Sequence, residues 1–289
     1  MPCAPSPFKV ESVVCDHITQ PASDHVCPTV AVFRESAFGD KIMAAQFTAI
    51  LNDNGIIAVL DDVEACNLVV CPKYDPQKHR HYTRYRFEYM WGQDYRGGIM
   101  RTALDLFARH FQLTPLVVTR HAVATRYYDV PGVPSVDVAL CTRTKNPSSY
   151  RNWPHFGALK AALRSHGITY CDLSEEHVRG MRCLNQIRKA RLYVGLETGV
   201  SHLASSVAAG KGLIIQSGYC PFDYWCPYGY EYIAHPVPCA PCFRSSGCPA
   251  GHACMRELGV WTVLNRILAR LRRFRKDPHQ HDETHSYQT

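Results

Sequence analysis

Two stretches of the chain carry residue types whose spacing could do chemistry. In "YVGLETGVSHLASSVAAG" an apolar, strand-like run ends at Glu197-Thr198-Gly199, and a helical pattern opens at about Val200. A helix N-terminus offers unpaired backbone N–H groups and the positive end of a dipole, which together suit a phosphate. Gly199 lets an anion approach the backbone, and Thr198 and Ser201 can add hydroxyl donors. The same residues also suit an ordinary strand-to-helix turn capped by Thr198. The second stretch, "CAPCFRSSGCPAGHACMREL", places Cys239, Cys242, Cys248 and Cys254 in a C-x2-C-x5-C-x5-C pattern. Four thiolates so spaced could ligate one structural Zn or Fe ion tetrahedrally, with His252 as a substitute ligand. The spacing departs from the common two-pair ribbon, so reduced packing thiols or, in an oxidising setting, disulfides stand as alternatives.

Bulk composition narrows the classes. The 289 residues suffice for two domains, and a chain 46% hydrophobic and 20% charged has the composition of a folded protein. No apolar run reaches the roughly 18 residues of a membrane helix. The start, "MPCAPSPFKVESVVCDH", lacks the basic head and apolar core of a signal peptide. A cytoplasmic protein is expected, and there most of the other cysteines read as small buried hydrophobes. The net charge of +7 suggests nucleic acid until its distribution is counted. Residues 260–276, "VWTVLNRILARLRRFRK", hold six basic residues and no acid, which leaves +1 (7 − 6) for the rest. The basicity belongs to one amphipathic helix with a packing face of Val260, Val263, Leu264, Ile267, Leu268, Leu271 and Phe274.

The elements that must position these residues alternate between strand and helix. "TVAVFR" (29–34) reads as a strand, "KIMAAQFTAILNDNG" as a helix stopped by Gly55, and "IIAVL" (56–60) and "NLVVC" (67–71) as further strands. Residues 72–97 are polar, aromatic and basic without a period, as suits a substrate loop, an RNA-contacting surface or a solvated loop. A helix over 98–111 and a strand over 115–118 follow. "YYDVPGVPSVD" (127–137) marks a boundary. Beyond it come strands over 136–141, 168–173, 191–197 and 212–217, with helices over 155–167, 181–190 and 200–210 between them. The expected fold is α/β with two Rossmann-like units facing a cleft. Its parts are an irregular extension (1–28), a first unit (29–130), a second unit (131–259) that holds the cysteines, a closing helix (260–276) and a disordered tail (277–289).

Taken in order, "VFRESAFGDKIMAAQ", "RNWPHFGALKAALRSHG", "ETGVSHLASSVAAGKGLII", "PFDYWCPYG" and the cysteine stretch resemble glycosyltransferase family 9, the ADP-heptose–lipopolysaccharide heptosyltransferases, over about residues 29 to 265. The resemblance implies a GT-B fold with a shortened first unit. It implies an inverting transfer of a heptose-like sugar from a nucleotide diphosphate donor, an ADP-sugar foremost, with no catalytic cofactor. The acceptor would be a glycan, a lipid-linked glycan or a protein. Asp40 matches the family's base, although it would also serve as a cap for a helix starting at Lys41. Arg151 matches the basic residue before Trp-Pro, with Arg143 and Lys145 as competitors for the diphosphate. His202 would line the donor site or pack in the helix start, and Glu197 stands where the family usually has Asp. A GT-B architecture commonly closes with a C-terminal helix crossing back to the first unit, and its basic face here could rest on the inner face of an anionic membrane. A non-catalytic GT-B-like binding or scaffold protein and a metal-knuckle nucleic-acid binder are the rival readings.

Overall fold

Short β-branched and apolar runs pair into two parallel sheets. The computed structural model describes residues 30–32, 38–60, 68–71, 85–86, 104–105, 107–109, 113–117, 130–144, 148–175, 178, 181–208, 210–220, 227, 229–244 and 247–276. The first sheet takes β1 (Val30–Val32), β2 (Ala58–Leu60), β3 (Leu68–Cys71) and β4 (Tyr85–Arg86) in the order β2-β1-β3-β4. Helix α1 (Phe38–Asp53) links β1 to β2 and buries Phe47, Ile50 and Leu51, with Phe47 meeting Phe107 edge-on at 5.8 Å. Gly55, at φ +77°, turns the chain out of α1 in a conformation that disfavours a side chain.

Two expectations change here. Residues 113–117 form no strand. Instead the Asn54 side chain accepts from the Val117 N–H and donates to its C=O, both at 2.8 Å. An amide with one donor face and one acceptor face thus satisfies a backbone that would otherwise need a ladder. Conversely, β4 lies inside the polar 72–97 segment, where the sequence shows no period.

The second sheet takes β5 (Val136–Leu140), β6 (Tyr170–Asp172), β7 (Ala190–Leu196), β8 (Gly212–Gln216) and β9 (Glu231–Ala234) in the order β6-β5-β7-β8-β9. Side chains alternate between its faces, and both faces are covered. Val138, Leu140, Leu192, Val194, Leu213 and Ile215 share one core with α2 (Phe156–Ser165) and α6 (Val260–Lys276). Ala139, Tyr193 and Ile214 share the other with α3 (Met181–Lys189) and α4 (Gly199–Val207). A short α5 (Ala253–Arg256) precedes α6. β9 escaped sequence reading because it is an edge strand whose Tyr232 is exposed, so apolar alternation is weak. The two sheets are joined where α1 packs on α4, with Gln46 Nε2 donating to Ser205 Oγ at 3.3 Å.

Helix α6 closes the core of the second sheet. Its Val263, Leu264, Ile267 and Leu271 are buried in the core of the second sheet, against β7 and α2. Leu264 is fully buried there, so Leu264→Ala leaves a cavity and should lower unfolding stability by about 2–5 kcal/mol. Denaturant unfolding checks this; a change below about 1 kcal/mol would mean that α6 is not core.

Candidate functional site

Adjacent parallel strands whose connections leave on opposite faces open a crevice at their carboxyl ends. β5 and β7 are neighbours, with α2 following β5 on one face and α4 following β7 on the other. The described residues after β5 (141–144 and 148–155) and after β7 (197–199) therefore border one crevice. Thr198 holds the N-cap position of α4 in extended backbone (φ −137°, ψ 163°), yet makes no capping hydrogen bond. Its hydroxyl lies 3.9 Å from Cys141 Sγ instead. The Thr198 side chain thus leaves the first N–H groups of α4 uncapped, a position that suits an anion.

Arg151 closes the turn Ser148–Arg151 and is fixed by its neighbours. Buried Trp153 donates its Nε1–H to the Leu258 carbonyl at 2.9 Å, while Asn152 Oδ1 accepts from the Thr144 N–H at 2.7 Å. The guanidinium carbon lies 5.2 Å from the centroid of the Tyr150 ring and 5.1 Å from that of Tyr219. Nη1 donates to the Glu197 carbonyl at 3.1 Å. Arg151 Nε is buried and has no hydrogen-bond partner among the described residues. An orphaned cationic N–H at a helix start is an invitation to an anionic oxygen.

Of the sequence candidates, the crevice gathers Arg151, Glu197, Thr198, Gly199 and His202. Two of the expected donor contacts need correction. Ser201 is buried, and its hydroxyl donates to the Leu196 carbonyl while sharing a 2.9 Å hydrogen bond with the Tyr193 hydroxyl. It fastens α4 to β7 and has no free hydroxyl to offer a phosphate. The Glu197 carboxylate is also buried, and it accepts from both the N–H (3.0 Å) and the Oγ–H (2.6 Å) of Ser217. It is a strut between the ends of β7 and β8, as suits a group that would repel a phosphate. Burial pushes the Glu197 carboxyl up, and Arg151 and Ser217 oppose that shift.

His202 is 7% exposed, and burial together with the nearby Arg151 cation drives its imidazole down to about 4, so it is neutral at physiological pH. Arg143 is exposed, and only its carbonyl is engaged, by Cys141 Sγ at 3.8 Å. Lys145 lies outside the described residues. Asp40 is the third residue of α1, so it is not the cap of a helix starting at Lys41; its side chain lies outside those described. Sequence reading missed Tyr150, Tyr219 and Ser217, which no motif marks.

The four cysteines converge on one space. Cys239, Cys242, Cys248 and Cys254 line a single small cavity with Tyr150 and Tyr219, roomy enough for one water-sized occupant. All four are free thiols, so no disulfide alternative is realised. The His252 N–H donates to Cys248 Sγ at 3.3 Å. Burial and the three neighbouring thiols push the Cys254 thiol up. Among the described residues no three His, Cys, Asp or Glu side chains stand close enough to hold a metal ion. Four thiols are the donor set of a tetrathiolate site, but the described residues are not gathered into one.

No protein-family model matches the sequence, and no curated protein does. Solved structures do match. The bacterial iron-containing dodecameric glycosyltransferase TibC from enterotoxigenic E. coli H10407 aligns with 85% of this chain and 76% of its own, at 15% identity and TM-score 0.54. E. coli heptosyltransferase WaaC with ADP aligns with 84% of this chain and 99% of its own, at 12% identity and TM-score 0.55. The glycosyl transferase family 9 protein from Veillonella parvula DSM 2008 aligns with 85% of this chain and 97% of its own, at 8% identity and TM-score 0.58. At such identities the likeness establishes the fold. That fold is the GT-B arrangement, as the sequence resemblance implied.

The buried imidazole has a pH signature. The unfolded chain protonates His202 near 6.5 and the folded chain only near 4, so stability falls as pH drops through that window, by about 3 kcal/mol in full. Glu197, pushed up by burial, acts in the opposite sense in acid. The difference between wild type and His202→Gln isolates the imidazole: the variant should lose less stability between pH 6.5 and 4 in urea titrations. Parallel curves would show that His202 is not buried neutral.

Proposed function

We propose that the protein is a glycosyltransferase that takes a sugar from a nucleotide diphosphate donor bound at the start of α4. The observation that carries this reading is the buried, unpartnered Nε of Arg151 beside an uncapped helix N-terminus. Two fixed positive ends at one crevice suit a diphosphate better than a neutral ligand. The fold neighbours lend support, since WaaC is solved with ADP and TibC with ADP-D-β-D-heptose, which makes an ADP-sugar the first donor to test.

In the inverting route, the acceptor hydroxyl oxygen attacks the anomeric carbon as the bond to the diphosphate oxygen breaks. The bonding pair leaves with the diphosphate, and the hydroxyl proton passes to the Asp40 carboxylate. Arg151 and the N–H groups of Gly199 and Val200 stabilise the charge that gathers on the leaving oxygens. Neutral His202 can donate one hydrogen bond there without adding a second buried cation. No protein group must change its charge except the base.

The cysteines are assigned a structural part. Cys239, Cys242, Cys248 and Cys254 would hold a Zn or Fe ion as thiolates, and the ion would cross-link the 239–254 loop without entering the transfer. TibC, of the same fold, is an iron-containing protein. Cys239→Ser should reduce bound metal and lower the melting temperature while leaving nucleotide preference unchanged. Elemental analysis and thermal unfolding test this, and full metal content in the variant would contradict it.

The donor reading is tested by calorimetry with ADP. Arg151→Gln should weaken ADP binding by about 10- to 100-fold, because a charge-assisted contact is lost. Asp40→Asn should bind ADP as wild type does and transfer no sugar. Undiminished ADP binding by Arg151→Gln would sink the site assignment, and ADP binding without turnover in the wild type would favour the non-catalytic reading.

A further inference from the structure

The rings of Tyr150 and Tyr219 belong to two spaces at once. They lie 5.1 Å apart between centroids and are tilted by 45°. The Arg151 guanidinium packs against both, with its central carbon 5.2 and 5.1 Å from their centroids. Both residues also line the four-thiol cavity. The arginine that faces the crevice and the cysteines that close the loop therefore share an aromatic wall.

The backbone carries a second connection. Cys242 donates its N–H to the Gly218 carbonyl at 3.0 Å, and Phe243 donates to the Tyr219 carbonyl at 2.8 Å. The cysteine loop is thereby laid along residues 218–219, directly after the Ser217 that Glu197 grips. Packing there has no slack. A Cβ built at Gly218 would lie 3.0 Å from Ala240 Cβ and 3.3 Å from Cys254 Cβ. His252, beside the cysteines, adds a third link by stacking on Tyr150 at 6.5 Å and 24°.

We propose that Tyr219, with Tyr150, is a positioning residue for Arg151, and that the four-thiol cavity is coupled through this pair to the anion site. The proposal rests on the donor reading for the identity of the anion, but the coupling itself does not. A guanidinium packed against a pair of touching rings has fewer places to go, so its orphaned Nε is held ready at little entropic cost on binding. Whatever tightens or loosens the cysteine loop moves Tyr219 and hence Arg151. Coupling of this kind is reciprocal, so a change at Arg151 must also be felt by the thiols.

The test uses full-length wild type, Tyr219→Leu, Tyr219→Phe, Arg151→Gln and the Tyr219→Leu/Arg151→Gln double variant. Two quantities are read: the ADP dissociation constant, and the alkylation rate of the 239–254 peptide by iodoacetamide, followed by mass spectrometry. Tyr219→Leu should weaken ADP about 10-fold, Tyr219→Phe should stay within about 2-fold, and Tyr219→Leu should add nothing once Arg151 is Gln. Tyr219→Leu and Arg151→Gln should each speed thiol alkylation severalfold, and Tyr219→Phe should not. If Tyr219→Leu binds ADP as wild type does while Arg151→Gln does not, the proposal is overturned and the donor reading survives. If wild type binds no ADP, the donor reading fails and alkylation decides: faster in both variants supports the coupling, unchanged in either overturns it.

Discussion

A buried carboxylate organises this crevice. Glu197 ends β7, accepts both donors of Ser217 beyond β8, and offers its carbonyl to Arg151 from the loop after β5. An ionised carboxylate out of water costs several kcal/mol unless its oxygens are paired. Here Ser217 pairs with one carboxylate oxygen and the Glu197 peptide carbonyl holds Arg151, so one residue brings three chain segments together. The next residues, Gly218 and Tyr219, then become the rail on which the cysteine loop is laid. The shorter Asp that the resembled family usually has at this position would reach one methylene less far. The longer side chain fits a loop held by its strut rather than by the nucleotide.

Chemistry of the crevice follows from that arrangement. With the Glu197 carboxylate bonded to Ser217 and the His202 imidazole neutral, Arg151 and the helix dipole bring positive charge to the opening. Desolvation makes each of these count for more than it would in water. Aromatic walls restrain the arginine, and buried Trp153 restrains the turn that carries it. In the proposed donor reading, much of the cost of arranging hydrogen-bond donors around the diphosphate is met by folding, before any ligand arrives.

The order of strands and helices in the second unit was legible because its sheet is buried on both faces, which leaves near-continuous apolar runs such as "RLYVGL" and "GLIIQ". The phosphate-like turn at Thr198-Gly199 was legible for the same reason, since the strand and the helix around it both show. Ser201 was misjudged because a hydroxyl near a helix start suits a ligand or a neighbour equally, and only the fold shows Tyr193 beside it. Apolar "PLVV" looked like a strand, but no sheet edge comes to it and Asn54 takes its place. Tyr150 and Tyr219 lie 69 positions apart (219 − 150), and nothing local tells either that the two will meet beside an arginine. Contacts set by strand order, rather than by periodicity, are what a single sequence hides.

The central claim is that the start of α4 and Arg151 together hold a diphosphate. Diffraction from crystals of the protein grown with ADP tests it most directly. The account predicts diphosphate oxygens on the backbone N–H groups of Gly199 and Val200, with one within hydrogen-bond reach of Arg151 Nε. ADP bound elsewhere, with Arg151 Nε still unpartnered, would contradict it.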